Sequence, residues 1–325
     1  MPQKQISEHR PPEPKRHHYV PRFYLEGFVD PAYEVKGQSA LWVYERGKRP
    51  RKSSPSKAAV ERYFYAHAQD GDRSVAAEHA IQKLEDEALP VLRHIRKGTL
   101  NITAQERAIF SGFMALMVTR VPRFRIFTDR EARRLLEHLK SLLHEPGALE
   151  AWVEQHEREH DRKLIGGAEQ LRSEVESGSC YDEAHAPRVR LGVMFQQAME
   201  LSPRFYQTTW TLLQAREGEF FVTSDDPVFL DDPQARPGSR VGFASSPTVE
   251  YMFPLDRQFC LLCHNRARGT VELLAPATVR NVNKRIIAGA TRQVYAATHS
   301  EKLRTVVDGM LARREPGRRG ADNGP

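Results

Sequence analysis

The chain has 325 residues, 28% charged and 40% hydrophobic, with a formal net charge of +7. That length allows one large domain or two interlocked ones around a sizeable core, and three cysteines, with Cys180 far from Cys260 and Cys263, imply no disulfide framework. The N-terminus has no apolar leader segment and no stretch approaches the ~20 apolar residues of a membrane span, so a cytoplasmic protein with no membrane partner is expected.

Residues 1–16 are crowded with Pro11, Pro12 and Pro14, residues 313–325 with Pro316, Gly317 and Gly320, and both read as disordered tails. Each tail carries +2, which leaves +3 on a single globular domain over residues 17–312. Pro21 suits the first turn of a short helix to Phe28, and Ala40 to Tyr44 alternate as a strand. The one dense basic run, Arg46, Lys48, Arg49, Arg51, Lys52 and Lys57, reads as a solvated loop rather than a phosphate track, because aromatic residues do not interleave it.

From Ser74 to Lys97, Ile81, Leu84, Ala88, Leu92 and Ile95 recur on one helix face, with Pro90 as a candidate kink. Thr103 and Glu106 form a capping box that opens a helix apolar almost all round, from Ile109 to Val118, expected at the centre of the core. A second box, Thr128 to Glu131, predicts a charged helix to about His144. With a polar helix from about Leu149 to Glu176, it would make an exposed hairpin over about 128–176. A further helix is expected from Pro187 to Leu201.

The last third changes character. Tyr206–Leu213, Phe220–Ser224, Tyr251–Phe253 and Phe259–Cys263 are aromatic or apolar runs between turn signals, followed by helices at Ala277–Ala290 and Ser300–Ala312 and a strand at Gln293–Ala296. Strands that follow helices rather than alternate with them predict an α+β fold, mostly helical, with a small, mainly antiparallel sheet in the C-terminal third.

Two motifs are set aside. His156-Glu-Arg-Glu-His160 has zinc-protease spacing, but Arg158, Glu159, Glu154, Asp161 and Arg162 make it a solvated helix face. Cys260 and Cys263 are two ligands where a structural zinc needs four, and read as core residues. The chain has no Gly-x-Gly-x-x-Gly, P-loop or Gly-x-Ser-x-Gly signature.

The segment His17-His18-Tyr19-Val20-Pro21-Arg22 sets proton donors, a possible metal ligand and an anion binder close together. With Leu41–Tyr44, Glu61–Tyr65, the helix of Glu78 and Glu85, Phe113–Arg120 with Pro122, and Thr223-Ser-Asp-Asp-Pro227, it resembles a widespread bacterial family, domain of unknown function 4238, marked by a His-Tyr-Val-Pro start. The resemblance spans about His17 to Thr298. It implies a shared fold and site and carries no reaction with it. The His-His-x-x-Pro string is also similar to the start of His-Asn-His endonucleases, but residues 29–66 hold neither Asn nor His, so that likeness stops at the first motif.

Thr223 to Pro227 ends an apolar strand, and two readings stand: Ser224, Asp225 and Asp226 as site residues, or a tight turn. Glu78 and Glu85, seven apart, share a helix face, and Arg120 after an apolar helix needs an anionic partner if buried. The enzyme hypothesis is a hydrolase or nuclease acting on phosphate esters, with or without a divalent metal. His17, His18, Arg22, Arg120, Ser224, Asp225 and Asp226 would be its catalytic set, and His18, Glu78, Glu85 and Asp225 its metal ligands. The alternative is a non-catalytic nucleic-acid-binding or regulatory protein, in which these residues form a buried polar network.

Overall fold

The element order follows from where apolar residues recur along the chain. A computed structural model describes residues 16–34, 38–62, 71–179, 186–232, 248–265 and 269–312. The expected tails outside this range, Tyr63, Phe64, Tyr65 and Cys180 lie outside the described residues.

The chain opens with β1 (Arg16–His18), α1 (Arg22–Leu25) continued by a 3-10 turn over Glu26–Phe28, and α2 (Pro31–Glu34). Next come β2 (Leu41–Glu45), β3 (Arg51–Ser53) and β4 (Val60–Arg62). The helices α3 (Gly71–Ile95), α4 (Ala104–Thr119), α5 (Pro122–Leu142), α6 (Ala148–His160), α7 (Gly167–Ser177) and α8 (Ala186–Gln207) follow. The remainder is β5 (Thr209–Ala215), β6 (Thr223–Ser224), β7 (Phe229–Asp231), β8 (Glu250–Pro254), β9 (Phe259–His264), β10 (Val271–Leu274), α9 (Pro276–Gly289), β11 (Gln293–Ala296) and α10 (Glu301–Ala312).

The expected capping box starts α4: the Thr103 hydroxyl accepts from the Glu106 amide, and Glu106 accepts in return from the Thr103 amide at 2.7 Å. The second expected box does not form. Pro122 already sits at the first turn of α5, and Thr128 lies inside that helix with its hydroxyl donating back to the Arg125 carbonyl. The helix expected over 149–176 is two helices, because Asp161, Gly166 and Gly167 adopt left-handed backbone between them. Helix α8 runs on to Gln207, so the strand expected from Tyr206 begins at Thr209.

The fold is α+β and mostly helical, and its strands are not confined to the C-terminal third. A five-stranded sheet runs β10-β5-β9-β8-β7, a four-stranded sheet β3-β2-β11-β6 joins both ends of the chain, and β1 pairs with β4. All pairings are antiparallel except β10 with β5. Two-residue alternation gives the five-stranded sheet two buried faces. Trp210, Leu212, Tyr251, Phe253, Leu261 and Cys263 face α4, α3 and α1, through Phe110, Phe113, Leu92 and Tyr24. Leu213, Ala215, Met252 and Cys260 face α9, α10 and the four-stranded sheet. Cys260 and Cys263 therefore lie on opposite faces, and burial pushes the Cys263 thiol up to about 12. Among the described residues no helix is long and apolar enough to cross a membrane.

The first helical turns are tied to the sheet through Arg96, which donates to the Tyr24 carbonyl at 2.9 Å and the Leu255 carbonyl at 3.0 Å. Gly27 lies against this guanidinium, and a Cβ there would also stand 2.8 Å from the Asp256 Cβ. Gly27→Ala is expected to displace Arg96 and destabilise the protein by about 1–3 kcal/mol, read as a lower urea midpoint at unchanged slope.

Candidate functional site

The recognised residues gather along a seam between the N-terminal strand pair, the α3–α4–α5 helices and the four-stranded sheet. Antiparallel pairing sets His17 opposite Glu61 and His18 opposite Val60. His17 is buried, and its Nε2 lies 2.5 Å from Glu78 Oε1 on α3. Two helical turns on, Glu85 meets Arg120, the C-cap residue of α4, whose Nη2 also donates to the His18 carbonyl at 2.6 Å. Arg120 is 3% exposed, so this pairing satisfies a cation that could not otherwise remain there. A cation at a helix C-terminus is also favoured by the helix dipole.

Pro122 turns the chain directly from α4 into α5, and the next residues point two more guanidiniums back at the seam. Arg123 Nη1 donates to Asp226 Oδ2 at 2.8 Å and Arg125 Nη1 to Glu61 Oε1 at 2.7 Å. Arg123 is half exposed, and Arg125 and Glu61 are each about a third exposed.

The Thr223–Pro227 segment divides its roles. The Ser224 hydroxyl donates to the Asp226 carbonyl at 2.8 Å and accepts from the Asp226 amide at 3.2 Å, which is the turn reading of the sequence. Asp226 points to the seam and Arg123. Asp225 points away from the cations, into the backbone: Thr291 donates its amide to Oδ1 at 2.8 Å, and Arg292 and Gln293 donate theirs to Oδ2 at 2.7 and 2.9 Å. Burial pushes its carboxyl up to about 7, and Asp226 adds to that, against the pull of the three amides. Asp225 is thus a clasp between β6 and β11.

The structure brings His17, His18, Glu78, Glu85, Arg120 and Asp226 into this seam, with Asp225 in the layer behind it. Arg22 stands apart, its exposed side chain paired with the exposed Glu26 four residues on at 3.0 Å. The four expected metal ligands do not converge: Glu78 faces His17, Glu85 faces Arg120, and both Asp225 oxygens take amides. Among the described residues no group of three or more His, Cys, Asp or Glu could hold a metal ion. In the set-aside motif, His156 stacks on Trp152 and packs at a tilt against His160, and Glu157 accepts the Leu164 amide at 2.8 Å.

Behind the strand pair runs a second polar line that the sequence reading missed. Tyr19 is hydrogen-bonded to Tyr295, the Tyr295 hydroxyl donates to Gln293 Oε1 at 2.7 Å, and Gln293 Nε2 donates to Glu45 Oε1 at 2.8 Å. Burial raises both tyrosine pKa values, so their hydroxyls stay protonated. Glu45 shares its strand face with Leu41 and Val43, and a carboxylate on a buried face demands cations. Lys48, Arg51 and Arg292 supply them, at 2.7, 3.3 and 3.2 Å. Burial alone would raise the Glu45 carboxyl, but Lys48, Gln293, Arg292 and Arg51 together hold it at about 2.

Two stability measurements follow. Asp225→Asn turns an amide NH₂ toward backbone donors and is expected to destabilise the protein by about 1–3 kcal/mol; an unchanged melting temperature would contradict the clasp. Because the folded-state pKa of Glu45 is depressed, its contribution is full above its unfolded value near 4.5 and is lost as pH falls toward about 2. Its partners are solvent-exposed, so the contribution is about 1–3 kcal/mol, and Glu45→Gln should flatten that part of the acid limb in denaturation between pH 6 and pH 2.

Neither a curated protein nor a solved structure matches the chain. A family profile does, over residues 16–300, which takes in every element from β1 to β11. The chain belongs to the family described as "Protein of unknown function (DUF4238)".

Proposed function

We propose that the protein is a hydrolase or nuclease acting on phosphate esters, with the His17–Glu78 pair as its acid–base centre. The observation that carries the reading is a buried imidazole 2.5 Å from a carboxylate, on the same seam as three guanidiniums. Glu78 orients the ring, so His17 can take a proton from an attacking hydroxyl or water and return it to the leaving oxygen. Arg123 binds the phosphoryl oxygens: its half-exposed guanidinium gives Asp226 one hydrogen bond and has further donors for a ligand. Arg120 acts by its charge from behind. Buried, unbridged Cys260 and Cys263 fit a cytoplasmic setting.

A second reading, a nucleic-acid-binding or regulatory protein without turnover, is favoured by a different observation. Arg120, Arg123 and Arg125 each have a carboxylate partner on another element, as a structural network requires. The two are separated by activity on a panel of phosphodiesters and phosphomonoesters with Mg²⁺, Mn²⁺ and Zn²⁺. We expect turnover that falls by about 10²–10⁴ in His17→Ala. Glu78→Gln, close to isosteric, should also lose turnover while keeping a native near-UV dichroism spectrum. No turnover by the wild type, or wild-type turnover in both variants, overturns the enzymatic reading.

A further inference from the structure

We propose that the β2–β3 hairpin is the backbone-binding arm of this site, and that the substrate is therefore a nucleic acid strand rather than a small phosphate ester. The inference rests on reading the seam as a phosphate-ester site, and it adds the substrate class. Its first support is charge. From Arg46 to Lys52 the hairpin carries Arg46, Lys48, Arg49, Arg51 and Lys52, all exposed, and no acid. Among the described residues, the buried Glu45 is the carboxylate paired with Lys48, Arg51 and Arg292, which are themselves 59%, 55% and 68% exposed. Glu45 anchors three cations and Asp308 of α10 accepts the Gly47 amide at the hairpin turn at 2.8 Å; two carboxylates against the five hairpin cations and Arg292 leave a local surplus of positive charge. A solvated strand hairpin has no need of a buried acid that gathers cations from two other segments. An arm that must hold its charges in place against repulsion does.

The second support is position. The register sets Gln293 opposite Glu45 and Tyr295 opposite Val43. Glu45, Gln293, Tyr295 and Tyr19 form one hydrogen-bonded line, and Tyr19 follows His17 and His18 directly. The hairpin cations and the acid–base pair are thus the two ends of one continuous polar layer, with Arg123 and Arg125 at its histidine end. A single phosphate occupies one or two guanidiniums. Cations at both ends of this layer match a chain of phosphates rather than a single one.

The third support bears on the mode of binding. Lys52 Nζ lies 4.3 Å from the Tyr33 ring centre and 5.0 Å from that of Trp42, and Trp42 also packs on His299 at 4.6 Å. Lys52 and His299 thus engage the aromatic rings beside the hairpin, which counts against these rings as the platform for bases. Recognition falls on the phosphate backbone, independent of sequence and steeply dependent on salt.

The test uses the full chain and fluorescein-labelled oligonucleotides of about 20 nucleotides, single-stranded and duplex, followed by anisotropy across a NaCl series. The triple variant Arg46→Gln, Lys48→Gln, Arg49→Gln removes three charges outside the acid–base pair. Its Kd should rise at least tenfold, and the slope of log K against log [NaCl] should fall by about 2–3. Its turnover of a small phosphodiester should stay at the wild-type level. Wild type that binds neither oligonucleotide, or a variant with the same affinity and slope, overturns the arm. Binding needs no turnover, so loss of binding in the variant supports the arm even if the His17 and Glu78 assays defeat the catalytic reading.

Discussion

A guanidinium with 3% exposure at the end of a buried helix is the constraint around which the N-terminal half is arranged. Arg120 cannot be left unpaired there without losing several kcal/mol, so α3 must present Glu85 and β1 must present the His18 carbonyl. Those two demands fix where β1 lies against α3, and with it the meeting of His17 with Glu78. The same short sequence, Arg120-Val-Pro-Arg-Phe-Arg125, ends one helix and starts the next in two residues. Three guanidiniums on one seam are thus a local consequence of a proline at the first turn of α5.

The four-stranded sheet makes the complementary connection between the ends of the chain. Strands β2 and β3 come from the first 53 residues, β6 and β11 from beyond Val222. Strand β6 has only two residues, too few for a ladder to hold it. Asp225 supplies what the ladder lacks, since one carboxylate takes three successive amides at the start of β11. Tyr24 adds a second tether, with its hydroxyl donating to the Pro254 carbonyl at 2.6 Å and lying 2.7 Å from the Thr223 hydroxyl. The turn that carries Asp226 toward Arg123 is therefore held from both sides.

How much of this could be read in the sequence depends on whether the determining interaction is local. The Thr103 box, the apolar face of α4, the strand at Gln293 and the need of Arg120 for an anion are set by neighbours a few residues away, and they were legible. Thr128 was misread because its local signal was sound but Pro122, six residues earlier, had already begun the helix. The identity of Arg120's partner was not legible, because Glu78 and Glu85 were equally placed on one helix face and only the position of β1 decides between them. Asp225 was expected among histidines and cations. Its backbone amides lie 66 to 68 residues away, in a stretch without an acidic or basic pattern to flag it. Glu45 is the instructive omission, since period-two alternation with Leu41 and Val43 already placed a carboxylate on a buried face.

Burial separates the roles of the three seam arginines. Arg120 is enclosed and its donors face Glu85 and a carbonyl, so a ligand could reach it only by unpairing a partly buried carboxylate. Arg125 and Glu61 are both about a third exposed, a pair that exchanges readily with water and adds little stability. Arg123 lies between these cases: its partner Asp226 is buried and fixed by the Ser224 turn, while the guanidinium itself is half exposed. It can therefore keep the hydrogen bond that positions it and still offer donors outward. On the proposed reading an anion would meet the half-exposed Arg123, oriented by Asp226, before the enclosed Arg120. That order, set by exposure rather than by residue type, is what the proposed phosphate-ester reading draws on.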